Sequence, residues 1–529
     1  MFLTLIAFVI SALLATGILR NGFDTSIGAL LTQSDPYLDE LEILADNFPN
    51  DLEINFAFVA KEGETVFQPQ LLRAIEQLEN RYQEIPFSQR ISSITNFVSP
   101  ETQLQLFERP LDSYSQQELN TLETIAVNDR LLTANLLSSD ASLTFALIYT
   151  NGDEADTDQR LEIANTVLSI RDDLRQSFPE IGVHANSEVL LEQSSQQAMI
   201  DDLTTLLPLV ILACVLAICY CFKSAILGIC ILSHTVLTII CTAGTLGYLG
   251  FSFNTVSIMA PLVVVIISVA NSVHVISIYK QFLLKCMTKV EAMEESMAYN
   301  FQPISLAALT TAIGFTSLNM CSSPAIQDFG QIVAIGIIFA YILTIIYLPA
   351  VLVFFSKDAE QMDKTQAPFL HNTLEKICEL TRVQDKPIFW SCSALALITF
   401  LMLPLNETDF NRLDFIASDD DIKEYYDEVS DRLNRGPALT YAIDTGSDTG
   451  AIEPEFLKRM ENFTDWLSTQ DEVESVGSVV DVVKTIHQVQ NDDDADYYEI
   501  PDNRGTVLDY LLGYTQVESK DFPVLGFVT

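Results

Sequence analysis

The amino-acid sequence predicts a polytopic α-helical membrane protein that carries α+β domains outside the bilayer, built as a tandem duplication whose second half is truncated. Three observations predict it. Seven runs of about 20 apolar residues punctuate the chain. Its 529 residues hold 71 Asp and Glu against 28 Lys and Arg, a net charge of -43, yet the mean hydropathy is +0.26. Those values coexist only if apolar and acidic residues are segregated along the chain. Finally, segments 385 residues apart match without a gap.

A helix rises about 1.5 Å per residue, and lipid leaves no backbone polar group a partner outside the helix, so a crossing needs about 20 apolar residues. Runs at 2–19, 204–222, 225–250, 255–279, 302–321, 328–355 and 387–404 meet that requirement. Between Leu203 and Tyr279 the one charged residue is Lys223, at the tight turn between the second and third runs. Positive charge falls in alternate loops: Lys223, then Lys280, Lys285 and Lys289, then Lys357, Lys364, Lys376, Arg382 and Lys386. This pattern predicts that those loops and the N-terminus are cytoplasmic. The opposite loops, 251–254 and 322–327, contain no Lys or Arg. The first run has neither a positive leader nor a small-residue cleavage site before Arg20, which predicts an anchor rather than a removable signal.

The expected organisation is a first transmembrane helix at 1–20, a first periplasmic α+β domain at 21–203 and a five-helix membrane block at 204–356. A cytoplasmic linker at 357–386, a seventh transmembrane helix at 387–404 and an incomplete second periplasmic domain at 405–529 follow. All nine cysteines (Cys214, Cys219, Cys221, Cys230, Cys241, Cys286, Cys321, Cys378 and Cys392) lie in spans or cytoplasmic loops, so the outer domains must fold without disulfides.

Within the first outer domain, residues 54–58 alternate as a strand, Pro69 opens an amphipathic helix, and Ser93-Ile94 sits in a β-rich run. The same shift of 385 carries these onto 439–443, Pro454 and Ser478-Val479, and the first span onto the seventh. A further strand at 142–150, helix at 158–178 and strand from Val183 complete the first domain as a small α+β sandwich. Parallel repeats of this kind occur in transporters whose substrate pathway lies between the halves. The offset predicts five more spans beyond residue ~588, in a protein of about 770 residues and twelve spans.

The acidic balance excludes a nucleic-acid partner and a polybasic lipid dock. The chain has no phosphate-binding Gly-x-x-x-x-Gly-Lys-Ser/Thr loop, no His-Glu-x-x-His, no Cys-x-x-Cys pair and no Gly-x-Ser-x-Gly elbow. No enzyme site, cofactor or metal site is therefore expected. The acid runs 419–421 and 492–494 lack calcium-loop spacing and are expected as solvated loops. Residues 282–300, with Met287, Val290, Met293 and Met297 near one face, predict a connecting helix on the inner membrane surface.

Leu309-Thr310-Thr311-Ala312-Ile313-Gly314-Phe315, Gln327-Asp328-Phe329-Gly330 and Ala334-Ile335-Gly336, closing on Leu348-Pro349-Ala350, carry a resemblance. They resemble the fifth and sixth spans of the resistance-nodulation-division (RND) superfamily, in its MMPL-like branch of hydrophobic-molecule exporters, which shares a membrane core with sterol-sensing-domain proteins. The resemblance extends over essentially the whole chain. It implies porter-type, ferredoxin-like outer domains, an inner-membrane location, and export of a hydrophobic or lipid-like molecule on the proton gradient. It is compatible with a dimer or trimer and with a periplasmic accessory protein. Gly314, Gly330, Gly336 and Pro349 would then be helix-packing positions, and Asp328 part of a loop motif.

Family members that run on protons carry carboxylates in the fourth span, where desolvation lets a buried acid load and release a proton. The matching stretch here, Ser268-Val269-Ala270-Asn271-Ser272-Val273-His274, has no acid, and Ala270 and Asn271 stand where one is expected. The relay candidates are Asn271, His274, Ser268 and Ser272. His274, one turn beyond Asn271, either relays protons or bonds a neighbouring helix. His234, alone on the third span, is expected as a packing or interhelical hydrogen-bond residue. A competing reading is a non-transporting, sterol-sensing-type protein that binds lipid and regulates a partner.

Overall fold

A computed structural model describes residues 2–24, 38, 52–98, 105–129, 132–133, 136–151, 157–285, 287–356, 368–406, 420–433, 441–447, 449–470, 473, 476–491 and 494–521. The expectations placed on Cys286, Lys357, Lys364, Asp419, Asp492, Asp493 and residues 439–440 lie outside the described residues. In chain order the helices are α1 (Phe2–Ala15), α2 (Pro69–Glu79), α3 (Gln116–Asn128), α4 (Thr157–Ser177), α5 (Glu188–Phe222), α6 (Ala225–Leu249), α7 (Ala260–Leu283) and α8 (Lys289–Thr316). They continue as α9 (Pro324–Phe355), α10 (Pro368–Val383), α11 (Asp385–Met402), α12 (Asp421–Leu433), α13 (Pro454–Leu467), α14 (Val479–Val489) and α15 (Arg504–Asp521). The strands are β1 (Gly22–Phe23), β2 (Leu52–Val59), β3 (Ser88–Ser92), β4 (Leu143–Thr150), β5 (Gly182–Asn186) and β6 (Ser252–Phe253). They form two compact units, Met1–Asp35 with Ser195–Phe415 and Pro36–Ser194 with Ile416–Thr529.

In the first unit, six helical segments among the described residues are long and apolar enough to cross a bilayer: Glu188–Phe222, Ala225–Leu249, Ser257–Leu283, Lys289–Met320, Pro324–Phe355 and Asp385–Leu405. The first of the seven expected runs folds instead as the 14-residue α1 and a 3₁₀ turn, Ile18–Arg20. Small residues explain how α1 seats on α6. A Cβ on Gly17 would overlap the Gly244 carbonyl, one on Gly244 the Leu14 carbonyl, and one on Gly247 the Gly17 carbonyl. Backbones approach this closely only where side chains are absent, the packing that lipid surroundings favour. Ser11 Oγ lies 3.0 Å from Cys241 Sγ, and the Arg20 guanidinium stands over the Tyr248 ring. A two-residue parallel bridge, Gly22 with Ser252 and Phe23 with Phe253, ties the segment after α1 to the loop between α6 and α7.

The stretch 282–300 is not a separate helix. Its first residues extend α7 to Leu283, and its remainder opens α8, which runs unbroken through Pro303 into the fifth span. A capping box, Thr288 with Glu291, starts it. Its Met293, Ser296 and Asn300 are buried, and Ser296 Oγ donates to the Val275 carbonyl of α7 at 2.8 Å, so this face packs on helices. Of the glycines expected to pack, Gly330 and Gly336 do: added Cβ atoms would meet the Phe315 carbonyl and the Val264 side chain. Gly314 does not, because nothing lies within 4 Å of its Cβ direction. Pro349 lies inside α9.

The second unit is built on a four-stranded antiparallel sheet ordered β3-β4-β2-β5. With α2 between β2 and β3 and α4 between β4 and β5, this is the connectivity of a split β-α-β, ferredoxin-like unit. α2 buries Leu71, Leu72, Ile75 and Leu78, and α4 buries Ile163, Val167, Ile170 and Leu174, the i, i+4 spacing of a core-facing stripe. Phe56, Ala57, Phe58 and Val59 of β2 are all buried, so both sheet faces are covered. The second cover is α12, which packs on β5, β2 and β4 through Ile422, Tyr425 and Val429. Asp421, its first residue, pairs with the buried Arg171 and with Arg175 Nη1 at 2.9 Å.

Two expectations for the second copy are corrected. Residues 441–443 form no strand, and Ser478, expected within a β-rich run, caps α14 through a box with Asp481. Val479, Val480, Val482, Val483 and Ile486 follow a helical period, and cap plus period override the β preference of valine.

Candidate functional site in the membrane core

Local signals place three helices around one buried point. Ser224 caps α6 by accepting from Leu227 N, and Gly250 ends it in the left-handed region, φ 76°. Asn254 Oδ1 accepts from Val256 N and Ser257 N, turning the chain into α7, while its Nδ2 donates to Asp328 Oδ2 at 3.2 Å. Asp328 thus joins the loop before α7 to the start of α9. On α6, His234, Thr235, Thr238 and Thr242 fall on one buried face. Ser268, Asn271 and Ser272 do so on α7, and Ala340 and Thr344 on α9.

His234 is the centre of this arrangement, with 0% of its surface exposed. Its Nδ1 lies 3.0 Å from Ser268 Oγ and 3.1 Å from Ser272 Oγ. Its Nε2 lies 3.2 Å from Thr344 Oγ1, beside the Ala340 carbonyl. Ser268 Oγ also reaches Thr235 Oγ1 at 3.4 Å. The Ser272 and Thr344 hydroxyls donate to the Ser268 and Ala340 carbonyls of their own helices, at 2.9 and 2.7 Å. Four hydroxyls and one imidazole therefore share a dry pocket in which every hydrogen bond outweighs its counterpart in water.

Of the four relay candidates, Ser268, Asn271 and Ser272 are buried on this face, and the two serines touch the imidazole. His274 is not among them: it is exposed. Counted from Ser268, six residues turn the helix by about 600°, which leaves His274 about 120° off the inward face. His234 and Thr344 take up the centre instead. The polar positions 234, 235, 238 and 242 recur at helical spacing inside an apolar span, and intramembrane polar groups face a bundle interior. That spacing was the available signal. A cavity of about 20 Å³ beside Thr242, Leu246, Phe253, Val264 and Ile332 has room for roughly one water, not for a lipid chain. Among the described residues no three His, Cys, Asp or Glu side chains gather as metal ligands would.

The profile of the MMPL family matches residues 29–378, which takes in the four-stranded sheet, five of the six crossing-length helices and the polar centre. The chain belongs to the MMPL family. As an MMPL protein with six apolar helices of crossing length among the described residues, it is a multi-pass membrane protein of the RND transporter type. It is similar to a protein of Methanocaldococcus jannaschii named as a membrane protein, at 21% identity over 346 residues, covering 62% of this chain and 84% of the relative. The match places Ser268, Asn271, Ser272 and His234 inside the MMPL region.

Proposed function

We propose that the protein is an RND-type exporter of the inner membrane that moves a hydrophobic or lipid-like molecule outward on the proton gradient. The observation that carries this reading is the hydroxyl and imidazole centre, fully buried between three spanning helices of an MMPL protein. A bundle held by packing alone has no need of a polar group whose desolvation costs several kcal/mol when unpaired. The cytoplasmic N-terminus follows from Lys223, Lys280, Lys285 and Lys289 lying in loops on one side. The α+β unit then stands on the outer side as the porter domain. Tandem duplication is supported by α2 and α13, which open on Pro69 and Pro454 at the shared offset, and by α11 at the place of α1.

The test is efflux of a fluorescent phospholipid from vesicles of phosphatidylethanolamine and phosphatidylglycerol under an imposed pH gradient. Efflux should rise with the gradient and fall to the protein-free rate when an uncoupler removes it. A rate that ignores the gradient would overturn proton coupling, and no efflux at all would overturn export. His274→Ala should transport as the wild type does, because His274 is exposed and away from the polar centre.

A further inference from the structure

We infer that His234 is the group that takes up and gives back the coupling proton, an assignment that rests on the exporter reading. It lies near mid-length of α6, and the facing stretches of α7 and α9 offer it only hydroxyls and a carbonyl. The titratable and charged groups on the elements packed here are Cys230, Cys241 and Tyr248 on α6 itself, His274, Tyr279 and Lys280 on α7, Asp328, Tyr341 and Tyr347 on α9, and Arg20 in the turn after α1; α1 itself brings none. None of them is a hydrogen-bond partner of the imidazole among the described contacts. Asp328 is sixteen residues before Thr344 on α9, about 24 Å along the helix.

The ring of partners serves both protonation states with one mismatch at Nδ1, where the Ser272 oxygen accepts from the protonated form and has no hydrogen to give the neutral one. Ser272 and Thr344 spend their hydrogens on backbone carbonyls, so their oxygens face the imidazole as acceptors. Nε2–H therefore donates toward Thr344 and Ala340. Ser268 is the one neighbour with two choices. With His234 neutral, its hydroxyl donates into the Nδ1 lone pair at 3.0 Å; with Nδ1 protonated, it turns to Thr235 Oγ1 at 3.4 Å and accepts instead. Gain or loss of one proton then needs a hydroxyl rotation and no backbone movement. The proton comes from water admitted at one side of the bundle and returns to water at the other, so charge and atoms balance over the cycle.

Among the described residues no carboxylate faces His234, and that is what makes the site a carrier. An imidazolium paired with an acid would be held charged, whereas here the buried charge has only dipoles to stabilise it. Each proton is released when the bundle closes around it.

The experiment places wild type, His234→Gln and Ser268→Ala in the same vesicles with a trapped pH dye. Infrared difference spectra across about pH 4 to 8 follow the imidazole itself. His234→Gln should lose gradient-driven proton flux roughly tenfold or more while downhill lipid exchange persists. Ser268→Ala should shift the pH of half-maximal flux. Retained gradient-driven flux in His234→Gln overturns the assignment. So does a wild-type imidazole band that fails to titrate, or that is unchanged in His234→Gln. Should that variant fail to fold, an unshifted pH profile in Ser268→Ala overturns it equally. A wild type that moves no lipid but carries gradient-driven proton flux lost in His234→Gln sinks the export reading and leaves His234 as the proton-carrying group.

Discussion

A methyl group added at Gly247 has nowhere to go, since the Gly17 carbonyl occupies its direction. Gly247→Ala should cost about 1–3 kcal/mol, read as a lowered melting temperature in detergent. Gly314→Ala should be neutral or stabilise by up to about 1 kcal/mol, because its Cβ direction is open and glycine is a poor helix former. Both glycines look alike in sequence, where small residues mark a possible approach but not whether a neighbour arrives. Histidines carry the same lesson. His274 and His234 each stand in an apolar run, and only the packing of α7 against α6 and α9 brings one inward and leaves the other out. In the second unit the buried His184 accepts from Arg175 Nη2 at Nδ1, 3.3 Å away. Burial holds its pKa below the ordinary 6.5, the Arg175 charge adds to that, and Glu424, Glu428 and Asp421 oppose it. With the folded value depressed, stability is intact above about 6.5 and declines as pH falls through that value toward the folded one. His184→Gln should flatten the loss of thermal stability between about pH 7 and pH 5.

Elements were legible where period and punctuation agreed. Pro69 and Pro454 each sit at the start of a helix, residues 54–58 lie inside β2, and 142–150 and 158–178 come within a residue of β4 and α4. Disagreement arose where one signal masked another. The valines of α14 read as β by composition, and the capping box at Ser478 decided for helix. Ser478→Ala should therefore cost about 1 kcal/mol, measurable as a shift in the denaturation midpoint. Nothing local foretold that α12 would cover the second sheet face, because its anchor joins residues far apart in sequence. There Asp421 is partly buried, which raises its pKa, but hydrogen bonding from Arg175 and the Arg171 charge outweigh burial and hold it below 3.8. Asp421→Asn leaves Arg171 with Asp172 as its one acidic partner among the described residues. Amide exchange along α12 and β5 should quicken, with a loss of about 2 kcal/mol.

For the whole molecule, apolar length and charge segregation were sufficient to predict a polytopic membrane protein, since lipid imposes the same requirement on every span. They did not reveal that the first run would form a short helix seated on α6, which depends on glycines more than 200 residues away. The same blindness hid the polar centre: its parts come from α6, α7 and α9, and each alone is a few hydroxyls in an apolar run. The placement of cysteine has a use that packing and energetics leave untouched. Residues 36–194 and 416–529 contain none, while Cys378 is exposed in α10. On the orientation proposed above, the chain thus comes with a reporter thiol for one side of the membrane and a blank on the other. Adding Gln117→Cys at an exposed site in α3 completes a pair of labels. A membrane-impermeant maleimide applied to intact cells should tag position 117 and spare Cys378 until the cells are opened, and the reverse order of labelling would invert the orientation proposed here.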